Sequence, residues 1–155
     1  SSSRIRELLS EGKVNLVRRL LGRPYGVEGM VEHGDQRGHR LGFPTANLHP
    51  KNRVIPRNGV YVTGALIDGQ WRRSVTNVGV RPTFEQTTEP SVETFVLDWE
   101  GDLYGDVIRV RFLHRLRDER KFSSIDELKQ QIEHDVTRAH SYFKRSGTRH
   151  TLSII

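Results

Sequence analysis

The feature that most constrains the fold is a pair of apolar-rich runs joined by a single Asp-Gly dipeptide. Residues 59–80 (GVYVTGALIDGQWRRSVTNVGV) place Asp68-Gly69 between two stretches of strand-forming residues. Asp-Gly is favoured at the centre of a type I′ turn, because that turn requires a positive φ at both central residues. The segment therefore predicts a long antiparallel hairpin.

Three further segments have the character of β-strands. Residues 25–34 alternate with a period of two, which is the side-chain period of a strand. Residues 91–99 (SVETFVLDW) and 106–116 (DVIRVRFLHRL) predict a second pair of strands, one on each side of the sequence EGDLYG. Together with the hairpin, these segments predict four or five long strands.

Helical patterns lie at the two ends of the chain. Residues 3–10 and 14–21 predict two short amphipathic helices, and residues 124–144 predict a long one. Ser124 and Glu127 have the spacing of a capping box at the start of the long helix. Strands followed by one helix are typical of a small antiparallel barrel with a helix packed on it. The predicted fold class is therefore mainly β.

Composition limits the function classes. A chain of 155 residues without cysteine is sized for one domain and has no disulfide framework or thiolate metal site. It contains no apolar run of about 18 residues and begins with a charged segment, so we predict a cytoplasmic location and no membrane partner. The net charge of +6 favours phosphorylated or polyanionic ligands, and by itself does not separate nucleic acid from nucleotide.

The segment GHRLGFPTANL (38–48) and the residues just before it suggest a phosphate-binding loop. Glycines at spaced positions let the backbone approach a ligand closely, and basic side chains add positive potential. If the chain is extended after the proline, Thr45 and Asn47 share one face and present two oxygen atoms of the kind that Mg²⁺ accepts. The alternative is an ordinary glycine-rich loop ending in a local turn. The loop residues concerned are Gly34, Arg37, Gly38, His39, Arg40, Gly42 and Pro44.

Glu93 is the candidate general base. The period of two places it on the same face as Phe95, Leu97 and Trp99. A carboxylate on a partly apolar face is either at an edge that reaches solvent or directed into a cleft, where it can accept a proton. Both interpretations stay open from the pattern alone.

Five segments in the same order resemble the riboflavin kinases. They are GHRLGFPTANL, NGVY, NVGVRPTF, VETFVLDWEGDLYG and LRDERKF, within residues 25–143. The resemblance implies a six-stranded Greek-key barrel with a C-terminal helix. It also implies phosphorylation of the ribityl 5′-hydroxyl of riboflavin by MgATP, giving FMN and ADP.

The resemblance also implies roles for individual residues. Glu93 corresponds to the catalytic base, and Thr45 and Asn47 correspond to the pair that holds Mg²⁺ with the nucleotide phosphates. The loop that includes Gly34, Gly38, His39, Arg40, Gly42 and Pro44 corresponds to the nucleotide-binding flap. The basic segment 115–124, otherwise typical of a solvated surface, corresponds to the loop that closes over the flavin, with Arg117, Asp118 and Phe122 as flavin-binding residues.

The N-terminal sequence SSSRIRELLSEG resembles a motif of the FMN adenylyltransferase module that precedes the kinase in bifunctional bacterial enzymes. We therefore expect residues 1–22 to be linker helices left from an upstream module, and residues 23–155 to form the kinase barrel. On this interpretation the fragment makes no FAD. The alternative is that the two N-terminal helices are a native part of the kinase domain.

Two other function classes compete with this interpretation. A basic barrel that binds nucleic acid would need aromatic residues interleaved with its arginines, and the pattern of VIRVRF gives Arg109 and Arg111 no exposed aromatic partner on their face. A non-catalytic flavin-binding module would account for the loops but not for Glu93. The seven histidines have no spacing typical of a metal site, so no tightly bound metal is predicted beyond Mg²⁺ with ATP.

Overall fold

The computed structural model describes residues 2–33 and 42–146 of the chain. It contains three helices and six strands within these ranges. They are α1 (Ser2–Ser10), α2 (Val14–Leu21), β1 (Gly26–Glu32), β2 (Ala46–Pro50), β3 (Gly59–Ile67), β4 (Gln70–Pro82), β5 (Thr88–Val96), β6 (Val107–Arg117) and α3 (Ile125–Arg145).

The six strands close into a barrel in the order β1-β2-β5-β4-β3-β6, and every neighbouring pair is antiparallel. The predicted hairpin is β3 and β4, paired from Gly59 opposite Val78 to Ile67 opposite Gln70. Its turn residues Asp68 and Gly69 have φ angles of 49° and 75°, as a type I′ turn requires. The predicted mainly β barrel with a C-terminal helix is confirmed.

The inside of the barrel is apolar except for a chain of buried hydroxyl groups. Thr63 Oγ1 lies 2.7 Å from Ser74 Oγ and 2.8 Å from Thr76 Oγ1, and Thr76 Oγ1 lies 2.8 Å from Thr94 Oγ1. Each of these side chains is fully buried. Because a hydroxyl both donates and accepts, the chain satisfies polar groups that would otherwise be costly inside a core.

The two N-terminal helices are part of the hydrophobic core. Leu8, Leu9, Val14 and Val17 are at most 1% exposed and belong to the same cluster as the inward-facing residues of the barrel. The backbone N–H of Arg57 donates to the carbonyl of Leu9 at 2.9 Å, which ties α1 to the segment before β3. The predicted boundary after residue 22 stays a prediction, but these helices pack on the barrel instead of extending away from it.

Helix α3 covers the outer face of β3 and β4. Ala139 and Phe143 are fully buried in a second apolar cluster that includes Val60 and Val62 of β3. Its start is capped as predicted, because the N–H of Glu127 donates to Ser124 Oγ at 3.1 Å. The Glu127 carboxylate accepts hydrogen bonds from Ser123 and not from Ser124. Among the described residues, no helix is long and apolar enough to span a membrane.

Candidate active site

The central feature of the site is a row of polar side chains across four neighbouring strands. Asn47 of β2 lies opposite Glu93 of β5, and Glu93 lies opposite Asn77 of β4. Glu32 of β1 extends the row on the other side, opposite Asn47. Directly opposed residues of antiparallel strands share a face. This face is the outside of the barrel, since the residues on either side of Glu93 are buried inside it.

Two cavities lie along this row and share Thr45. The first, which we call the α3 cavity, has a volume of about 500 Å³ and lies between the barrel and α3; Asn77 and Glu93 line it. The second, which we call the β1 cavity, has a volume of about 620 Å³, and Glu32 and Asn47 line it. Thr45 is therefore placed to contact ligands in both cavities, at the point where Glu93 and Asn47 are neighbours.

The α3 cavity is suited to a flat apolar ligand with a polar tail. Phe43 and Phe95 meet edge to face, with ring centroids 5.5 Å apart. Aliphatic side chains from both walls complete the apolar lining: Val60, Val75, Leu128, Ile132 and Val136. Ligand pockets typically combine such a lining with a few polar groups that fix orientation. Here those polar groups include Asn77 and Glu93.

A buried ion pair fixes one end of the α3 cavity. The Arg117 guanidinium donates from Nε to Asp135 Oδ1 at 2.9 Å and from its terminal nitrogen to Oδ2 at 2.8 Å. Asp135 is 3% exposed and accepts a third hydrogen bond from Gln131 Nε2 at 3.0 Å. The pair connects the end of β6 to α3, so it fixes where the segment after Arg117 begins.

The segment after Arg117 lies over the cavity mouth. Phe122 lines the cavity, and the guanidinium of Arg120 lies 4.7 Å from the centre of its ring. Glu119 also lines the cavity, and its carboxylate occupies the space left by the absent side chain of Gly79. Partial burial raises the pKa of the Glu119 carboxyl, and the positive charges of Arg117 and Lys121 oppose that effect.

Asn47 has an unusual environment at the edge of the β1 cavity. It is 5% exposed, and within the described part of the chain neither its amide oxygen nor its amide nitrogen has a hydrogen-bond partner. Buried polar atoms without partners are rare and cost free energy. An amide oxygen in this state can coordinate a hard cation such as Mg²⁺, so the residues present fit that ion. No group of three His, Cys, Asp or Glu residues among those described could hold a metal, so such an ion would need oxygens from its ligand.

Charged and aromatic contacts hold other residues that line the β1 cavity, including Glu32, His33 and Tyr104. Arg81 of β4 donates to the carboxylates of both Glu32 and Glu89, at 2.5 and 2.6 Å. The hydrogen bond with Glu32 is the largest cause of the raised pKa of Arg81. His33, just after β1, stacks on Tyr104 with ring centroids 3.9 Å apart.

The structure brings together several of the residues singled out from the sequence. Thr45, Asn47 and Glu93 lie side by side, Pro44 lines the β1 cavity, and Arg117 and Phe122 line the α3 cavity. Asp118 does not line either cavity; it pairs with Arg115 at 2.6 Å. Gly42 is exposed, with a φ of 88°. Gly34, Gly38, His39 and Arg40 lie outside the described residues.

Four residues of the site were not identified from the sequence. Asn77, Phe43, Phe95 and Asp135 line the α3 cavity. Phe95 was placed correctly on the face of Glu93 but was given no role. Asn77 had no local signal, because its relation to Glu93 depends on the register between β4 and β5. Asp135 could have been identified, because an acidic residue inside the apolar stripe of a helix needs a buried partner.

Comparisons with known proteins agree with this geometry. The family model "Flavokinase: Riboflavin kinase" matches residues 21–143. A Bacillus subtilis protein named bifunctional riboflavin kinase/FMN adenylyltransferase is 43% identical over 146 residues, which are 92% of this chain and 46% of that protein. The chain thus spans about half the length of the curated relatives it matches.

Two solved structures resemble the fold. A Streptococcus pneumoniae protein described as a macrolide-efflux protein superposes with a TM-score of 0.85 at 39% identity, covering 90% of this chain and 46% of that one. The riboflavin kinase of Trypanosoma brucei superposes with a TM-score of 0.58 at 22% identity, covering 84% of this chain and 86% of that one; this similarity is one of fold alone. The resemblance inferred from five sequence segments is confirmed, and the chain belongs to the riboflavin kinase family.

Proposed function

We propose that this domain transfers the γ-phosphoryl group of ATP to the 5′-hydroxyl of riboflavin, giving FMN and ADP. The observation that supports this most directly is that Thr45 lines both cavities, while Glu93 of the α3 cavity lies opposite Asn47 of the β1 cavity. Phosphoryl transfer needs a donor and an acceptor aligned end to end, with little other chemistry from the protein. With riboflavin in one cavity and ATP in the other, the two substrates would meet at Thr45, which lines both cavities.

The α3 cavity is the proposed flavin site. The isoalloxazine ring would lie among Phe43, Phe95 and Phe122, with its ribityl chain directed along the polar row. Glu93 would then accept the proton of the attacking 5′-hydroxyl as the hydroxyl oxygen bonds to the γ-phosphorus and the bond from that phosphorus to ADP breaks. Asn77, on the strand next to Glu93, is placed to orient either that carboxylate or a ribityl hydroxyl.

The β1 cavity is the proposed ATP site, and Pro44, one of the predicted flap residues, is part of its lining. Thr45 Oγ1 and Asn47 Oδ1 would hold Mg²⁺ together with phosphate oxygens. When bound, this ion would neutralise phosphate charge. Arg117 and Asp118 are proposed to act on the flavin through the segment they anchor, since Arg117 is engaged by Asp135 and Asp118 by Arg115. Phe122 is proposed to contact the flavin directly.

The activity assay tests the function and the predicted lack of FAD synthesis together. Purified protein incubated with riboflavin and MgATP should form FMN, and no FAD should appear when the products are separated by chromatography. FAD formation would overturn the proposal that residues 1–22 are only a remnant of an adenylyltransferase module. Flavin binding without FMN formation would instead support a non-catalytic flavin module.

Asn47→Leu should reduce activity and increase stability. The apolar isostere removes the proposed metal ligand, so the Mg²⁺ concentration for half-maximal FMN formation should rise at least tenfold. It also removes two buried polar atoms that have no partner among the described residues, so the free energy of unfolding should rise by about 1 kcal/mol. Magnesium titrations and urea denaturation measure the two effects. An unchanged magnesium requirement would remove Asn47 from the metal site, whatever the stability.

A further inference from the structure

A third cavity, of about 320 Å³, lies apart from the α3 and β1 cavities and shares no lining residue with them. It is formed where β1 meets β6, and that pair is diametrically opposite β5 and β4 in the strand order. Four basic side chains line it: Arg23, Lys51, Arg109 and Arg111. They come from three separate parts of the chain, before β1, after β2 and along β6. We call this cavity the basic groove.

The positive charges of the basic groove are poorly compensated. Among the described residues, Glu28 is the one acidic residue in its lining, and its carboxylate lies 3.9 Å from Arg109 Nε. Four cations and one carboxylate leave a net charge of about +3 in the groove. Burial lowers the pKa of Arg111, and the neighbouring charges of Arg23 and Arg109 lower it further. Like charges held this close destabilise a folded chain unless an anion joins them.

The groove is also held in shape before any ligand arrives. The backbone N–H of Lys51 donates to the carbonyl of Glu28 at 2.8 Å, and the N–H of Glu28 donates to Asn52 Oδ1 at 2.9 Å. The guanidinium of Arg111 lies 5.3 Å from the centre of the Trp71 ring, which limits its rotation. Gly26 lies beside it, and a Cβ at that position would be 3.2 Å from Arg111 Cγ. A preorganised site pays less ordering entropy on binding.

We propose that the basic groove binds a compact oligophosphate anion, such as tripolyphosphate or the phosphate chain of a nucleotide. Guanidinium groups present forked N–H donors that match phosphate oxygens, and Lys51 adds a point charge. The cations surround one small cavity and do not follow a long face, which favours a compact anion over a nucleic-acid backbone. This inference is independent of the kinase reaction.

Isothermal titration of the protein with tripolyphosphate in magnesium-free buffer tests the site. Two variants separate it from the proposed ATP cavity: Arg23→Gln/Arg109→Gln in the basic groove and Asn47→Leu in the β1 cavity. We expect Asn47→Leu to retain binding and the double variant to lose it at least tenfold. Binding that is lost in Asn47→Leu but retained in the double variant would place the anion in the β1 cavity and overturn the proposal. The absence of any binding to the unmodified protein would overturn it as well.

Two further measurements distinguish a ligand site from a structural or non-specific one. Tripolyphosphate should raise the Tm of the unmodified protein but not that of the double variant, because a ligand stabilises only the state that binds it. Without ligand, the double variant should be at least as stable as the unmodified protein, since repulsion has been removed. A lower Tm of the ligand-free double variant, or tighter binding of duplex DNA than of tripolyphosphate at equal phosphate concentration, would contradict the proposal.

Discussion

Glu93→Gln should lower kcat for FMN formation by about 10²–10⁴-fold, the usual contribution of a general base. The amide is nearly isosteric with the carboxylate, so the position between Asn47 and Asn77 on the neighbouring strands is kept while proton acceptance is lost. KM for ATP should change little, because Glu93 lines the α3 cavity and not the β1 cavity. Steady-state kinetics with both substrates varied separately would measure these effects.

Glu85→Gln is the matched control for that experiment. Glu85 is exposed near the tip of the β4–β5 connection, and it carries the same charge change without lining either cavity. Its kcat should equal that of the unmodified protein. If Glu93→Gln retained kcat within about threefold, Glu93 would not be the base, and the proton would have to leave by another route.

Asp135→Ala should lower the free energy of unfolding by about 3–5 kcal/mol, as expected when one partner of a buried ion pair is removed. The Arg117 side chain is only 18% exposed, so its charge would remain partly buried without the carboxylate that satisfies it. The connection between β6 and α3 would loosen, and with it the segment that carries Phe122. We therefore expect KM for riboflavin to rise as well.

Two companion variants show whether the ion pair itself is responsible. Glu133→Ala removes an exposed carboxylate from the same helix and should change stability by no more than about 0.5 kcal/mol. Arg117→Met/Asp135→Leu removes both charges and should recover most of the stability lost in Asp135→Ala. Urea denaturation measures all three. Equal losses in Asp135→Ala and in the double variant would mean that packing and not charge dominates at this position.

Local signals in the sequence determined the elements of the fold. Asp68-Gly69 specified the hairpin because few dipeptides adopt positive φ at two successive residues without cost. The cap at Ser124 and the apolar spacing after it specified α3 to within one residue at each end. Glu93 and Phe95 share the outer face of β5, and Leu97, just after the strand, is buried in the apolar cluster under α3, as their period of two predicted. Family motifs then added the six-strand count and the candidate site residues.

Local patterns failed where the chain departs from regular geometry. The predicted alternation includes Trp99, but Asp98 has a φ of 51° and Trp99 packs against the cluster inside the barrel. Strand β2 has only five residues, too few to show a period by themselves. The N-terminal helices were expected to be a linker, yet the burial of Leu8 and Val17 depends on barrel residues far along the chain.

Only the tertiary structure decided which side chains act together. Asn77, Asn47 and Glu93 are far apart in sequence, and strand register alone places them in one row. The burial of the Asn47 amide, without a hydrogen-bond partner in the described part of the chain, and the pairing of Arg117 with Asp135 likewise arise when distant segments pack. The sequence alone determined the long elements through local patterns, and most of the candidate residues through family motifs, because both kinds of signal lie in short segments. The closed barrel determined the row, the two cavities and the basic groove, because each depends on contacts between elements that no local pattern specifies.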